Sequence, residues 1–197
     1  MRRLKSKQNE VKKTKKNQMI IGMILIIVMF GSVFGVIVGS FNNSEESADV
    51  DYYGYKFASQ GSYWYTNVGS TQFVFRFNPF ETEYMYNKSI TNLTYINSYQ
   101  NLPLYIYSDN YESEIEIYRN IGQFAQRIQR ACLIGNEENC DSELPIKDCN
   151  ENFIIIRENL NNESAISQEG KCVFITGEKQ NLIKLTDDYL FRIIGIR

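Results

Sequence analysis

The sequence predicts an α+β domain carried behind an N-terminal transmembrane helix, the domain being a mixed, mainly antiparallel sheet with two helices packed on one face. Three observations lead there. Met19 to Val38 is an uncharged run of twenty residues. The stretch from Tyr52 to Phe77 alternates aromatic with other residues at the period of a strand. Two later segments carry apolar residues three and four apart, the mark of a helix with one buried stripe.

The uncharged run would rise about 30 Å as a helix, the thickness of a bilayer's hydrocarbon core. Eight bases and one acid precede it, a tail of charge +7, whereas the thirteen residues after Ser40 hold four acids and no base. Positive charge stays inside. The expected organisation is a basic cytoplasmic tail (1–18), a transmembrane helix (19–40), a linker (41–50) and an extracytoplasmic α+β domain (51–197) of a single-pass cell-membrane protein. The rival is a cleaved signal peptide with Val38 and Ser40 at the small-residue positions, but its apolar region usually runs only about 7 to 15 residues. The bilayer is the first expected partner, and the tail's cations suit anionic inner-leaflet lipid. Gly31, Gly35 and Gly39 share one face of the span and would allow close transmembrane packing into a homodimer.

Phe41 to Val50 is polar and acidic and reads as a linker. Beyond it lie all fourteen tyrosines. Turn signals at Gln60-Gly61 and Asn67 to Ser70 divide the aromatic stretch into an antiparallel meander in which Phe73, Phe75 and Phe77 share a face. Residues 78–101 read mainly as loop. LYIYS, from Leu104, is a short strand. A helix is expected over 110–132, with Asp109 and Glu112 as a capping box and Ile117, Ile121, Phe124, Ile128 and Ala131 inward.

Cys132, Cys140 and Cys149 follow, and Cys172 completes the set. The gaps of seven, eight and twenty-two residues do not match the short pairs of structural zinc sites, the chain contains no histidine, and no C-x-x-C pair is present. Outside the cytoplasm, four cysteines read as two disulfides. Three connectivities are open, and order along the chain favours Cys132 with Cys140 and Cys149 with Cys172. FIIIR, from Phe153, is apolar enough to be a central strand. Ala165 to Gln168 and Cys172 to Thr176 form a hairpin about Glu169-Gly170. The last helix is expected over 178–194, with Leu182, Leu185, Tyr189, Leu190 and Ile193 inward.

Candidate sites are few. Residues 41–197 carry thirteen bases and twenty-two acids, a charge of −9, which argues against nucleic acid as a partner. Glu112, Glu114 and Glu116 fall in the first turns of a helix, where they complement its dipole, and Glu116 reaches Arg119. Histidine triads are excluded, and no phosphate-binding glycine loop is present. Asp49, Asp51 and Gly54 mimic the start of a calcium loop, but Tyr53 and Gln60 occupy positions that need oxygen ligands or a bidentate Glu. No catalytic residue, metal or cofactor is expected. Tyr52, Tyr63 and Tyr65 are candidates for a binding surface, since a tyrosine ring combines apolar area with a polar edge. Asn42, Asn87, Asn92 and Asn162 lie in N-glycosylation sequons.

The segments QFVFRFNP, PLYIYSDNYESEIEIYRN, RIQRAC, LPIKDCNENFIIIRE, CVFITG and LTDDYLFRIIGI resemble uncharacterised single-pass membrane-anchored proteins of small-genome archaea. The resemblance covers nearly the whole exported domain, implies location and architecture, and brings no known activity. KKNQMIIG also loosely resembles the processing site of archaeal pilins, with Asn17 where those carry glycine. The leading expectation is a membrane-tethered module for binding or envelope assembly, not catalysis, whose partner is an envelope protein or glycan. The alternatives are an envelope enzyme working through carboxylates and tyrosines, or a pilin-like subunit.

Overall fold

A computed structural model describes residues 18–29, 49–84, 93–135, 140–159 and 163–197. The chain divides into two units, residues 1–46 and 47–197. In the first, residues 18–29 form helix α1, and its apolar side chains from Met19 to Met29 are exposed. Among the described residues no helix is long and apolar enough to cross a membrane. The remainder of the expected span, with Gly31, Gly35 and Gly39, lies outside the described residues, as do all four sequon asparagines.

The second unit is an α+β domain with two principal sheets. Strands β1 (Asp49–Tyr52), β2 (Tyr55–Gln60), β3 (Tyr63–Val68) and β4 (Thr71–Phe75) form the antiparallel meander in sequence order. The first turn, Tyr53-Gly54, has both residues at positive φ, 50° and 88°, as a two-residue hairpin loop requires. The Asp51 carboxylate accepts the Gly54 N–H at 3.0 Å and fixes that turn. Thus Asp49 and Asp51, expected in part as linker, belong to a strand.

The second sheet uses β5 (Pro103–Ser108), β6 (Arg127–Arg130), β9 (Phe153–Glu158), β10 (Ala165–Glu169) and β11 (Cys172–Gly177), in the order β10-β11-β9-β5-β6. Only β10 and β11 pair antiparallel; β11-β9, β9-β5 and β5-β6 are parallel. A short parallel pair, β7 (Cys132–Leu133) with β8 (Ile146–Lys147), stands apart. The single, mainly antiparallel sheet is therefore replaced by an antiparallel sheet and a largely parallel one.

The cause lies in the segment after Ile121. Helix α2 spans Tyr111–Ile121, half the expected length, and its N-cap is Asn110, whose Oδ1 accepts the Ser113 N–H at 2.9 Å. The chain then turns back, and Arg127–Arg130 runs parallel beside β5. Ile128, expected on the helix stripe, sits in that strand. A strand, a helix and a neighbouring parallel strand make one crossover unit.

Helix α3 (Leu182–Ile193) follows β11 after a short 3-10 turn, Lys179–Asn181. Both α2 and α3 lie between the two sheets, so each sheet covers one side of the helical layer. Phe57 and Phe75 from the meander meet Phe191 of α3, with ring centroids 5.8 Å and 4.4 Å apart. From the other sheet Leu104, Ile106, Ile154, Ile156, Val173 and Ile175 join the same core. Alternation then sends Tyr105, Phe153, Ile155 and Cys172 to the opposite face, where they pack with Ala131, Leu133 and Cys149. FIIIR is central because both of its faces are covered.

Both disulfides form as chain order suggests: Cys132 with Cys140 and Cys149 with Cys172, with Cα separations of 5.8 Å and 4.8 Å. They pin the segment between β6 and β9 over the face of the second sheet that the helices leave open.

Candidate functional site

Of the sequence candidates, Tyr52 is withdrawn from the surface. It is 5% exposed, its ring stands edge-on to Phe80, and its hydroxyl accepts a hydrogen bond from Arg197 Nε at 3.0 Å. Tyr65 is half-buried in β3. Tyr63 is also half-buried, and its ring is occupied: the guanidinium carbons of Arg119 and Arg76 lie 4.5 Å and 5.5 Å from its centroid. The three tyrosines do not make a common platform. Asp49 and Asp51 hold no calcium-like constellation, and among the described residues no group of three metal-binding side chains is found.

Around Tyr63 lies a cleft of about 250 Å³, lined by Tyr63, Arg76, Glu116 and Arg119, with Ile115 and Ile183 as apolar walls. Tyr63 comes from β3, Arg76 from the residue after β4, Glu116 and Arg119 from α2 and Ile183 from α3. The helical spacing of three puts Arg119 Nη1 2.7 Å from Glu116 Oε1. Arg76 is held differently, donating from Nη1 to the Ser62 carbonyl at 3.0 Å. Among the described residues no carboxylate lies within ion-pair distance of its guanidinium.

The acids here are unusual. Glu116 is 3% exposed, and burial pushes its carboxyl up to about 7 despite the opposing pull of Arg119 and Arg76. Asp187 of α3 is fully buried and is held well above the usual carboxylate range, first by desolvation and then by the charge of Glu116. Its Oδ2 accepts the Phe77 N–H at 2.8 Å. Glu116 Oε2 is buried with no hydrogen-bond partner among the described residues, whereas the Arg76 backbone joins that of Phe77 in supporting Asp187. Two neighbouring buried acids resist ionising together, because burial strips each charge of water and the second would face the first.

A second polar layer locks the cleft's walls together. Asn120 of α2 pairs with the open edge of β4 as a strand would: its Oδ1 accepts the Val74 N–H at 2.9 Å and its Nδ2 donates to the Val74 carbonyl at 2.7 Å. Asp188, next to Asp187, accepts from Arg192 Nε at 2.9 Å and is paired with Arg197. Arg197 also donates to the carbonyls of Pro79 and Thr82.

Comparisons with protein-family models, with curated proteins and with solved structures yield no match.

The sequence reading gave Glu116 a place in the first turns of the helix and an ion pair with Arg119, which forms, and missed both its burial and Asp187. Its helical spacing to Arg119 was visible; what was not visible is that the meander folds over that face of α2. For Asp187 the adjacent pair Asp187-Asp188, inside a stripe of Leu185, Tyr189 and Leu190, was the available signal. Two acids in succession on a helix buried between sheets cannot both face water.

Proposed function

We propose that the protein is a single-pass, membrane-anchored extracytoplasmic domain that binds a ligand or envelope partner and performs no catalysis. The observation that carries this reading is the pair of disulfides, Cys132–Cys140 and Cys149–Cys172, since such bonds persist in oxidising surroundings. The twelve helical residues 18–29 support it, because their apolar side chains are exposed on all sides and an all-round apolar helix suits lipid. The uncharged run continues to Val38, and the cations before it set the orientation.

Binding is preferred to catalysis because of how the cleft is furnished. Its carboxylates, Glu112 and Glu116, both come from one face of α2, and the opposing wall offers Tyr63 and Arg76. Acid and base work on a bound substrate would call for carboxyl groups on facing walls. The raised carboxyls of Glu116 and its neighbour Asp187 are what favours the envelope-enzyme reading.

The test is topological. Impermeant protease added to intact cells that express the full chain should remove residues 47–197, while residues 1–18 remain protected. Free thiols at Cys149 and Cys172 before reduction, or full protection of the domain on intact cells, would overturn the proposal.

A further inference from the structure

The cleft beside Tyr63 combines charge, burial and an idle oxygen in a way that neither the fold nor the ion pairs use up. Arg119 gives one nitrogen to Glu116, and Arg76 gives one to the Ser62 carbonyl. Each guanidinium carries five donors in a planar fork suited to a pair of ligand oxygens. Both lie over the Tyr63 ring, at 4.5 Å and 5.5 Å, so that ring holds the cations in place and is not left open for a ligand to stack on. Ile115 and Ile183 line the cleft and reduce the water that would otherwise solvate a guest. Glu116 is 3% exposed and its Oε2 has no partner among the described residues.

We propose that this cleft binds a small oxyanion of single negative charge, a carboxylate or a phosphate diester, gripped by the Arg76 and Arg119 guanidinium groups with Glu116 in its protonated form. The reading rests on the domain being a binding module and is independent of the membrane anchor.

Charge balance gives the direction of the coupling. The groups that face Glu116 are Arg119 and Glu112 from its own helix, Arg76 from the end of the meander, Tyr63 from β3 and Asp187 from α3. Burial favours the neutral form of Asp187, so it adds little to the local charge. With Glu116 ionised, two cations face two carboxylates and an anion gains nothing from the local charge. Protonation of Glu116 leaves one net positive charge and adds a hydrogen-bond donor at a buried position. The guest therefore binds together with a proton, and its affinity falls as pH rises.

The experiment uses the full chain, disulfides intact, in a zwitterionic detergent. Sodium glucuronate and sodium dimethyl phosphate serve as probes, each holding one negative charge between pH 6 and pH 8. Binding is read from the side-chain Nε–Hε resonances of Arg76 and Arg119. At least one probe should shift both resonances, with a dissociation constant about tenfold lower at pH 6 than at pH 8, the ratio expected for a group titrating near the middle of that interval. Glu116→Gln should bind equally at both values, with the affinity the native chain shows at pH 6. Arg76→Gln should lose binding while its backbone spectrum stays native, and Arg76→Lys should retain the charge but bind more weakly. A response to glucuronate alone marks a sugar-acid ligand; a response to dimethyl phosphate alone marks a phosphodiester. No shift with either anion, affinity independent of pH in the native chain, or undiminished binding by Arg76→Gln would each overturn the proposal. Any of these results would leave the protease test of topology unaffected.

Discussion

Asn120 shows how much one buried amide can do. It is 0% exposed and satisfies both backbone groups of Val74 as well as the Glu116 carbonyl. Asn120→Ala should cost about 2 kcal/mol, because it strands a half-buried donor and acceptor on β4; urea unfolding checks this. Tyr99 and Tyr189 are a second such pair, with hydroxyls 2.5 Å apart and Tyr99 pushed up to about 12 by burial. Tyr189→Phe should lower stability by about 1–3 kcal/mol, since it leaves the Tyr99 hydroxyl unpaired. Glu116 acts in the opposite sense. Its folded carboxyl titrates near 7 against an ordinary value of 4.5, so the folded protein binds more protons than the unfolded chain between those values. The associated stability, about 3 kcal/mol, is fully present below about pH 4.5 and is lost as pH rises through 7. Asp187 shifts the same way and extends the loss to higher pH. Glu116→Gln should therefore flatten the fall in melting temperature between pH 5 and pH 8 and melt above the native protein at pH 8. Equal slopes in the two proteins would refute this account.

Among the elements, the best-read ones were those whose pattern admits one explanation. Phe73 and Phe75 alternate with Gln72, Val74 and Arg76 and are buried on one face; Cys172 to Gly177 pairs with Ala165 to Glu169 about Gly170 as the turn chemistry dictates. The misread element was RIQR. Ile121, Phe124 and Ile128 keep helical spacing by coincidence, and β6 is an edge strand whose burial shows no clear alternation, so local pattern could not separate strand from helix. The burial of Glu116 was missed for a related reason: residues of one segment do not announce that another segment will cover them. The hairpin at Gly170 offers a direct test. Its φ is +57°, and a Cβ there would come 2.9 Å from the Cys149 carbonyl oxygen, which accepts the Lys171 N–H at 3.0 Å. Gly170→Ala should destabilise by more than the usual cost of about 1 kcal/mol for a left-handed residue, and thermal melting would show it. Breaking the adjacent bond with Cys149→Ser and Cys172→Ser should remove roughly 3 kcal/mol, as expected for a loop of this length.

For the whole domain, the helical layer between the sheets sets cooperativity. The meander reaches the rest of the core mainly through Phe57, Phe73 and Phe75 against the helices, and its polar ties run to Asn120 and Asp187. Denaturant should thus unfold both sheets in one transition followed equally by tyrosine and by far-ultraviolet signals. Separate transitions would show that the sheets are independent. Arg197 closes the same arrangement. Its side chain is 3% exposed and joins Asp188, Tyr52 and the Pro79–Thr82 turn. Arg197→Ala should cost about 3 kcal/mol, because the arginine is removed from a buried network.

Order of synthesis gives the position of α3 a further meaning. Both sheets rest on the two helices, and α3 is made after β11, so a domain whose synthesis has reached only Gly177 has α2 alone to lay between its two apolar faces. A nascent chain at that stage stays half open and sticky until residues 182–193 arrive, and a chain broken off before α3 would hand quality-control proteases an unmistakable target.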